Sequence, residues 1–379
     1  MQIAAAAAAA SLLAACGQSG SPSTRPPSTF PPIPIATAVA TSQGAWATLA
    51  MGRLSEPLNT FWELFHATPR GTWTLSTPPG VASNGGLFIA PLSSSVITVA
   101  FGPSLGLRFS PLVRTENTGV SWTTGILPDA IARAPDALAV GGTGRTWALS
   151  GSGATRLLQS RDLDTWSVAG TLSPSVVASE GCRLLAATAV ATTAAAPRGV
   201  AVGGTCTSGP RAAILLRDRS SWQNVGPLVN GGASTPSEVL RLDVSSQGVA
   251  ALIRTGSGRE GDLVAAYGSV AFNDWSVGNP LPIAGRTVVS SSTTSTGGLV
   301  VVLGTPDGSR IAAVSTRGDA NWDGLPALPQ GTALVASNAG GGFDALTPQA
   351  TTLVVERLAA SGWVRSQAIV VPIEFGSSH

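Results

Sequence analysis

Residues 298–322 read GLVVVLGTPDGSRIAAVSTRGDANW and contain the pattern that decides the fold. An apolar run led by Gly298 is followed by a Thr-Pro-Asp-Gly turn at residues 305–308. A second apolar run spans Ile311 to Val314, and a polar turn then precedes Trp322. Short apolar runs bounded by Gly, Pro, Asp and Asn are typical of strands joined by hairpins. The stretch therefore predicts strands in a tight antiparallel arrangement.

The same pattern recurs along the chain. It is clear again at residues 248–282, where two apolar runs precede Trp275 and a Leu-Pro pair follows it. Tryptophans in this context recur at intervals of 41 to 56 residues: Trp73, Trp122, Trp166, Trp222, Trp275, Trp322 and Trp363. Because no segment shows sustained helical periodicity and the repeat is near the length of a propeller blade, the sequence predicts an all-β fold.

We predict a seven-bladed β-propeller of four-stranded antiparallel blades over residues 35–379. One twisted blade cannot bury both faces alone, and radial stacking covers each face with a neighbour. A tryptophan at one fixed position per blade would supply that packing surface, so we interpret the seven tryptophans as structural. The innermost strand of the first blade is expected from residues 33–41 or, alternatively, from the C-terminal run 368–375.

The turn before Trp122 carries a family resemblance. Residues 115–122, Thr-Glu-Asn-Thr-Gly-Val-Ser-Trp, resemble the Asp-box of sialidase-like (BNR-repeat) propellers, with Asn117 in place of Asp. Residues 160–166 resemble a shortened box and residues 315–322 a more degraded one. The resemblance implies that these side chains bond to local backbone and fix the hairpin between the third and fourth strands. It bears on the fold, since Asp-boxes lie away from the active site in that family.

The N-terminus carries a signal for export. Residues 4–15 form an apolar run that is too short to cross a bilayer comfortably, and residues 1–15 are interpreted as a signal peptide. The run ends in Leu-Ala-Ala-Cys-Gly at residues 13–17, which resembles the lipobox of bacterial lipoproteins and implies lipidation of Cys16. Residues 16–34, rich in Ser, Thr and Pro, are expected to be a tether. The predicted location is extracytoplasmic, anchored to the cell membrane by the N-terminal lipid.

Two further cysteines, Cys182 and Cys206, lie near the ends of consecutive strand-like runs. In an oxidising compartment an even pair favours a disulfide, with two buried free thiols as the alternative.

Composition removes several classes of function. The net charge is +2, which does not indicate a nucleic-acid partner. The chain has no lysine, so Schiff-base chemistry on lysine is excluded. Its only histidines are His66 and His379, too few for a multi-histidine metal site. We expect no cofactor, no metal and no catalytic residue, and His66 is interpreted as a strand-face side chain.

The candidate ligand site is a set of arginines near the starts of predicted innermost strands. These are Arg133, Arg183, Arg241 and Arg286, with Glu180 and Glu238 nearby. Guanidinium groups around a channel mouth can hold a carboxylate or phosphate by paired hydrogen bonds. The alternative is that the two glutamates pair with these arginines in a structural ring of salt bridges.

Three functions are compatible with these features. The first is a monomeric, non-catalytic envelope propeller that binds a protein or glycan. The second is a degenerate sialidase-like glycoside hydrolase, for which Tyr267 and Glu260 would be the nucleophile pair, although both are expected on the outer part of a blade. The third is a scaffold held near a membrane complex by its lipid.

Overall fold

The computed structural model describes residues 36–372 except 42–43, 54–59, 79–85, 103–107, 135, 151–154, 173–181, 183, 193–198, 219–220, 230–234 and 257–259. The predicted signal peptide, Cys16 and the tether lie outside the described residues, as do Glu180 and Arg183.

The described chain is built of β-strands and turns, and the predicted all-β class is confirmed. Within these residues there is no helix of the length and hydropathy that a membrane crossing needs. The strands of the first half are β1 (Thr37–Thr41), β2 (Gly44–Gly52), β3 (Thr60–Ala67), β4 (Trp73–Leu75), β5 (Leu87–Pro91), β6 (Ile97–Phe101), β7 (Ser110–Thr115), β8 (Thr123–Leu127), β9 (Leu138–Val140), β10 (Thr146–Ser150), β11 (Thr155–Ser160), β12 (Trp166–Leu172), β13 (Leu184–Thr192), β14 (Val200–Cys206), β15 (Ala213–Asp218) and β16 (Ser221–Asn224).

The second half continues in the same way. Its strands are β17 (Ser237–Ser245), β18 (Gly248–Thr255), β19 (Asp262–Gly268), β20 (Ser276–Val277), β21 (Leu281–Pro282), β22 (Thr287–Thr293), β23 (Leu299–Gly304), β24 (Arg310–Ser315), β25 (Trp322–Gly324), β26 (Leu334–Ser337), β27 (Phe343–Gln349), β28 (Thr352–Ala359) and β29 (Gly362–Val370).

Consecutive strands pair antiparallel in successive meanders, each of which is built around four strands in chain order. We number these meanders 1 to 7: β1–β4, β5–β8, β9–β12, β13–β16, β17–β21, β22–β25 and β26–β29. In meander 5 the outer position is shared by two short strands, β20 and β21, which both pair with β19.

Some meanders are joined by hydrogen bonds between their strands. β1 pairs in parallel with β22, so meanders 1 and 6 share one sheet. β14 of meander 4 pairs antiparallel with β17 of meander 5, so these two also share a sheet. Meanders 2, 3 and 7 form separate four-stranded sheets. At these two points, strands of different meanders are therefore directly hydrogen-bonded.

The seven repeated tryptophans occupy one structural position. Each lies at the start of the outermost strand of its meander, within two residues of the strand's first residue. Each also belongs to or packs against a hydrophobic cluster that joins neighbouring meanders. The prediction that these indoles pack one sheet against the next is supported at every one of these positions.

The hydrophobic clusters link the meanders in a cycle. Successive clusters join meanders 1 and 2, then 2 to 4, 4 and 5, 5 and 6, and 6 and 7. A sixth cluster, which includes Trp73, Leu49 and Leu353, joins meander 7 back to meander 1. The core is therefore distributed around the ring, between the sheets.

The first of the two expected ways to start the ring is the one observed. The N-terminal residues 37–41 form the first strand of meander 1. Ala368 lies in β29, which pairs with β28 as the outermost strand of meander 7. The first and last described strands thus remain within their own meanders.

Polar contacts hold the first and last meanders together. The Trp73 indole Nε1 donates to Asp344 Oδ2 at 3.0 Å, and Asp344 is fully buried. Arg357 donates to Asp344 Oδ1 at 2.9 Å and to the Gly71 carbonyl at 2.8 Å. The Gln367 amide bonds both to the Trp73 backbone N–H and to its carbonyl. The Gln367 side chain thus supplies hydrogen-bond partners to backbone groups at the outer edge of β4.

Candidate functional site

A small cavity lies between the innermost strands of meanders 1 to 5. It has a volume of about 50 Å³ and is lined near the C-terminal ends of β1, β5, β9, β13 and β17. Most of its lining residues are apolar by type, mainly valine, leucine and alanine, but polar atoms form the larger part of the exposed wall. Three charged residues enter it: Asp136, Arg241 and Asp243.

Arg241 is the central residue of this site. Its side chain is almost fully buried, with 2% exposure. One guanidinium nitrogen donates to the Ser291 carbonyl at 3.0 Å and the other to the Ala38 carbonyl at 3.1 Å. Because these acceptors lie in β22 and β1, Arg241 connects meander 5 to meanders 6 and 1. Its Nε is buried and has no hydrogen-bond partner among the described residues.

Asp136 makes the corresponding link on the other side of the cavity. It precedes β9, and its Oδ2 accepts from the Leu242 backbone N–H at 2.8 Å. Its own carbonyl accepts from the Val190 N–H at 2.7 Å. Asp136 therefore connects meander 3 to meanders 4 and 5.

Asp243 lies two residues after Arg241, on the same face of β17. Burial raises the pKa of both the Asp136 and the Asp243 carboxyl, and the Arg241 guanidinium opposes the shift in each. Arg317, which lies over the Tyr267 ring at 5.3 Å, also lowers the pKa of Asp243. The positive charge of Arg241 thus acts on both carboxyls, and that of Arg317 acts on Asp243.

The dimensions of the cavity limit what it can do. A volume of about 50 Å³ accommodates a few water molecules, whereas sites for small organic ligands occupy about 300–1,000 Å³. In the described residues no group of three or more His, Cys, Asp or Glu side chains is arranged to hold a metal ion. The cavity is thus a polar space between inner strands that is too small for an organic ligand of ordinary size.

The candidate arginines are not brought together at this cavity. Of those described, only Arg241 lines it. Arg133 is exposed in the link between meanders 2 and 3, and Arg286 is half-buried in the turn before β22. Arg183 lies outside the described residues.

Glu238 pairs with a different arginine from those expected. It forms a buried ion pair with Arg254, its cross-strand neighbour in β18. Burial raises the pKa of Glu238, and the charge of Arg254 opposes this shift. The partner of Glu238 is therefore Arg254, whereas Arg241 is bonded to backbone carbonyls. Glu180 lies outside the described residues.

The expected disulfide is present. Cys182 and Cys206 are bonded, with their Cα atoms 5.4 Å apart. Cys206 ends β14, and Cys182 lies just before β13, its antiparallel partner. Both cysteines are buried. The bond therefore fixes one end of meander 4.

Tyr267 and Glu260, the pair that a sialidase-like hydrolase would use, lie in different environments. Tyr267 is buried in β19, and its hydroxyl donates to the Ser315 carbonyl at 2.9 Å. Glu260 is exposed at the turn before that strand. His66 lies in β3 against Trp46, with ring centroids 4.4 Å apart, and burial lowers its pKa. A neutral, packed imidazole agrees with its interpretation as a strand-face residue.

The turns that resemble Asp-boxes are fixed by their own side chains. Thr115 Oγ1 accepts from the Gly119 N–H at 2.8 Å, and Asn117 Oδ1 accepts from the Ser121 N–H at 2.9 Å. In the next meander, Asp162 Oδ1 accepts from the Thr165 N–H at 2.7 Å. This bond is the main reason that the pKa of Asp162 falls to about 2. Both turns join the third and fourth strands of their meanders.

Sequence reasoning missed Asp136 and Asp243. The available signal was the alternation Leu240-Arg241-Leu242-Asp243-Val244, because residues two apart share one face of a strand. Asp136 had no comparable signal, since it lies in an irregular link.

Solved structures with a similar fold are β-propeller proteins. A GH74 xyloglucanase from Xanthomonas campestris is 14% identical over 88% of this chain and 54% of its own, with a TM-score of 0.57. A periplasmic gluconolactonase from Pseudomonas aeruginosa is 11% identical over 86% and 96%, with a TM-score of 0.54. A putative 6-phosphogluconolactonase from Bacteroides fragilis is 10% identical over 87% and 96%, also at 0.54.

These similarities define the class of fold as a β-propeller. The chain spans about half the length of the xyloglucanase. No protein-family model and no curated protein matches the sequence. At such low identities the shared property is the fold, and the activities in those names belong to the proteins that bear them.

Proposed function

We propose that this chain is an extracytoplasmic, lipid-anchored propeller of seven blades that binds a protein or glycan without transforming it. The seven blades are the meanders described above. The cyclic order of the hydrophobic clusters supports this arrangement, as does the repeated tryptophan at the start of each outermost strand.

The lipid anchor is supported by two independent features. The lipobox-like residues 13–17 end an apolar run of secretory length. The Cys182–Cys206 bond is of the kind that persists in oxidising compartments. We expect labelled palmitate to be incorporated by bacterial cells that express the full chain, and Cys16→Ser to abolish the label. Equal labelling of both chains would refute the anchor.

The non-catalytic role rests on one observation, the small volume of the space that Arg241 lines between the inner strands. Both terminal nitrogens of the Arg241 guanidinium already donate to backbone carbonyls, those of Ser291 and Ala38. The remaining cavity is too small for a sugar ring. Binding therefore falls to the exposed loops at the two ends of the ring, where specificity can be built without disturbing the core.

A substrate panel tests this role. The purified full chain would be incubated with xyloglucan oligosaccharides, gluconolactone and sialosides, with product formation followed over time. We expect no turnover above the uncatalysed rate. Turnover that is lost in Asp243→Asn would instead assign hydrolysis to the cavity and overturn the proposal.

A photo-crosslinking residue in living cells tests for the ligand. Val120, which is 84% exposed, and Leu228, which is 59% exposed, lie at opposite ends of the ring and serve as matched positions. We expect a protein or glycan adduct from one position only. Adducts from neither position, or equal ones from both, would contradict a defined binding face.

A further inference from the structure

The two ends of the ring differ in how they are built. In each meander, three points lie at the same edge of the sheet. They are the start of the first strand, the turn between the second and third strands, and the end of the fourth strand. β1 runs parallel to β22, and β13 and β17 are both antiparallel to β14. The first strands of these meanders therefore run in the same direction within each pair, and the corresponding edges lie at the same end of the ring. A bridge between Gly52 and Ala350 joins two such turns at that end. We call this end the connection face and the opposite one the hairpin face.

The exposed charges are divided unequally between these faces. Among the described residues, five exposed arginines lie on the connection face with two exposed acidic residues, Glu260 and Asp307. The arginines are Arg53, Arg108, Arg133, Arg156 and Arg211, of which Arg156 is paired with Asp129. On the hairpin face the balance is reversed, with three exposed arginines and six exposed acidic residues. The acidic residues there are Glu116, Asp162, Asp164, Asp274, Asp319 and Asp323.

Exposed apolar side chains occur on both faces, and Val120, at 84% exposure, lies on the hairpin face. Leu228, Leu185, Phe109 and Ile311 are between 37% and 59% exposed and lie on or beside the connection face. A phospholipid interface carries anionic headgroups above an apolar layer. A protein surface that has apolar side chains among arginines is complementary to such an interface.

The chain also enters the ring from the connection face. Ala36 precedes β1, whose first residue lies at that edge. If the lipid is on Cys16, the 19 residues from 17 to 35 separate it from the first strand. A flexible segment of that length has a typical span of about 25 Å, less than its extended limit. The anchor therefore holds the connection face nearest to the membrane.

We propose that the connection face docks onto anionic phospholipid headgroups, which orients the ring with its hairpin face toward the aqueous compartment. This inference rests on the proposed lipid anchor. The attraction is electrostatic at first contact and is screened by salt. The apolar side chains then enter the interface between the headgroups.

A vesicle-binding experiment separates docking from anchoring. Full chains carrying Cys16→Ser would be sedimented with phosphatidylcholine vesicles and with vesicles containing roughly a third phosphatidylglycerol. The test variant is Arg108→Ala/Arg133→Ala/Arg211→Ala. Its matched control is Arg70→Ala/Arg161→Ala/Arg365→Ala, which removes the same charge from exposed residues on the other side of the ring.

Each arginine near an anionic surface contributes about 1 kcal/mol, or about a fivefold change in partitioning. We expect the test variant to bind anionic vesicles at least about tenfold more weakly than the control variant. Binding to phosphatidylcholine vesicles should be equal for the two. Equal losses in both variants would overturn docking by this face.

Two further results have definite meanings. If the test variant keeps its vesicle binding but loses binding to poly-glutamate, the face serves an acidic macromolecule and membrane docking is wrong. If palmitate labelling fails while the arginine-dependent vesicle binding persists, the docking proposal is supported and the lipid anchor is refuted.

Discussion

Single residues at the centre of the molecule form contacts between meanders that a sequence pattern cannot predict. The sequence predicts Arg241 as a ligand-binding residue because it lies in an innermost strand. Its partners are instead carbonyls of two other meanders. The sequence could place Arg241 on an inner strand but could not say which backbone atoms would face it, because β22 and β1 are distant in the chain.

Replacing Arg241 tests this role. We expect Arg241→Met to lower the free energy of unfolding by about 3–5 kcal/mol, because two buried carbonyls lose their donors and two carboxylates lose a counter-charge. Urea unfolding measures the change. In the triple variant Arg241→Met/Asp136→Asn/Asp243→Asn much of the loss should return, since no unpaired charge remains. An unchanged midpoint in the single variant would contradict the linking role of Arg241.

Acid stability depends on Asp162. Its pKa of about 2 in the folded chain lies below the value of about 3.9 for an unfolded aspartate. The carboxylate therefore stabilises the fold above about pH 4, and this contribution is lost as the pH falls toward 2. We expect the melting temperature of Asp162→Asn to be lower at pH 5 and to change less between pH 5 and 2. Parallel pH profiles for wild type and variant would argue against the turn's role; Asp164→Asn is the control in the same turn.

At the level of strands and turns, local signals were sufficient. Alternating apolar runs predicted the hairpins, and the run 311–314 lies within β24 as expected. The spacing of Cys182 and Cys206 predicted neighbouring antiparallel strands, and β13 and β14 are paired in that way. The cross-links between meanders, such as β14 with β17, had no local signal, because they depend on how two sheets approach each other.

The disulfide should stabilise meander 4. It closes a segment with a sequence separation of 24 residues, and a bridge of this size contributes about 2–4 kcal/mol by restricting the unfolded chain. We expect Cys182→Ala/Cys206→Ala to lower the free energy of unfolding by that amount. Reducing agent should lower the wild-type stability only after unfolding exposes the bond, since both cysteines are buried. A double variant as stable as wild type would contradict this.

For the whole molecule, the tryptophan period predicted a propeller before any contact was known. The repeat marks the outermost strands, where one indole per meander meets the next sheet. The charge difference between the two faces was invisible in the sequence, because exposed arginines and acids alternate along the chain and separate only when the strands reverse direction. The net charge of +2 conceals this division.

The last meander closes on the first, so that the core forms a ring with Arg241 between its inner strands. Trp73 reports on closure directly, because its indole donates to Asp344, 271 residues away. Hydrogen exchange of the Trp73 Nε1–H, assigned by its loss in Trp73→Phe, is the decisive measurement. Protection comparable to that of core amides is the expected result; exchange as fast as that of a solvent-exposed indole would mean that the ring is open.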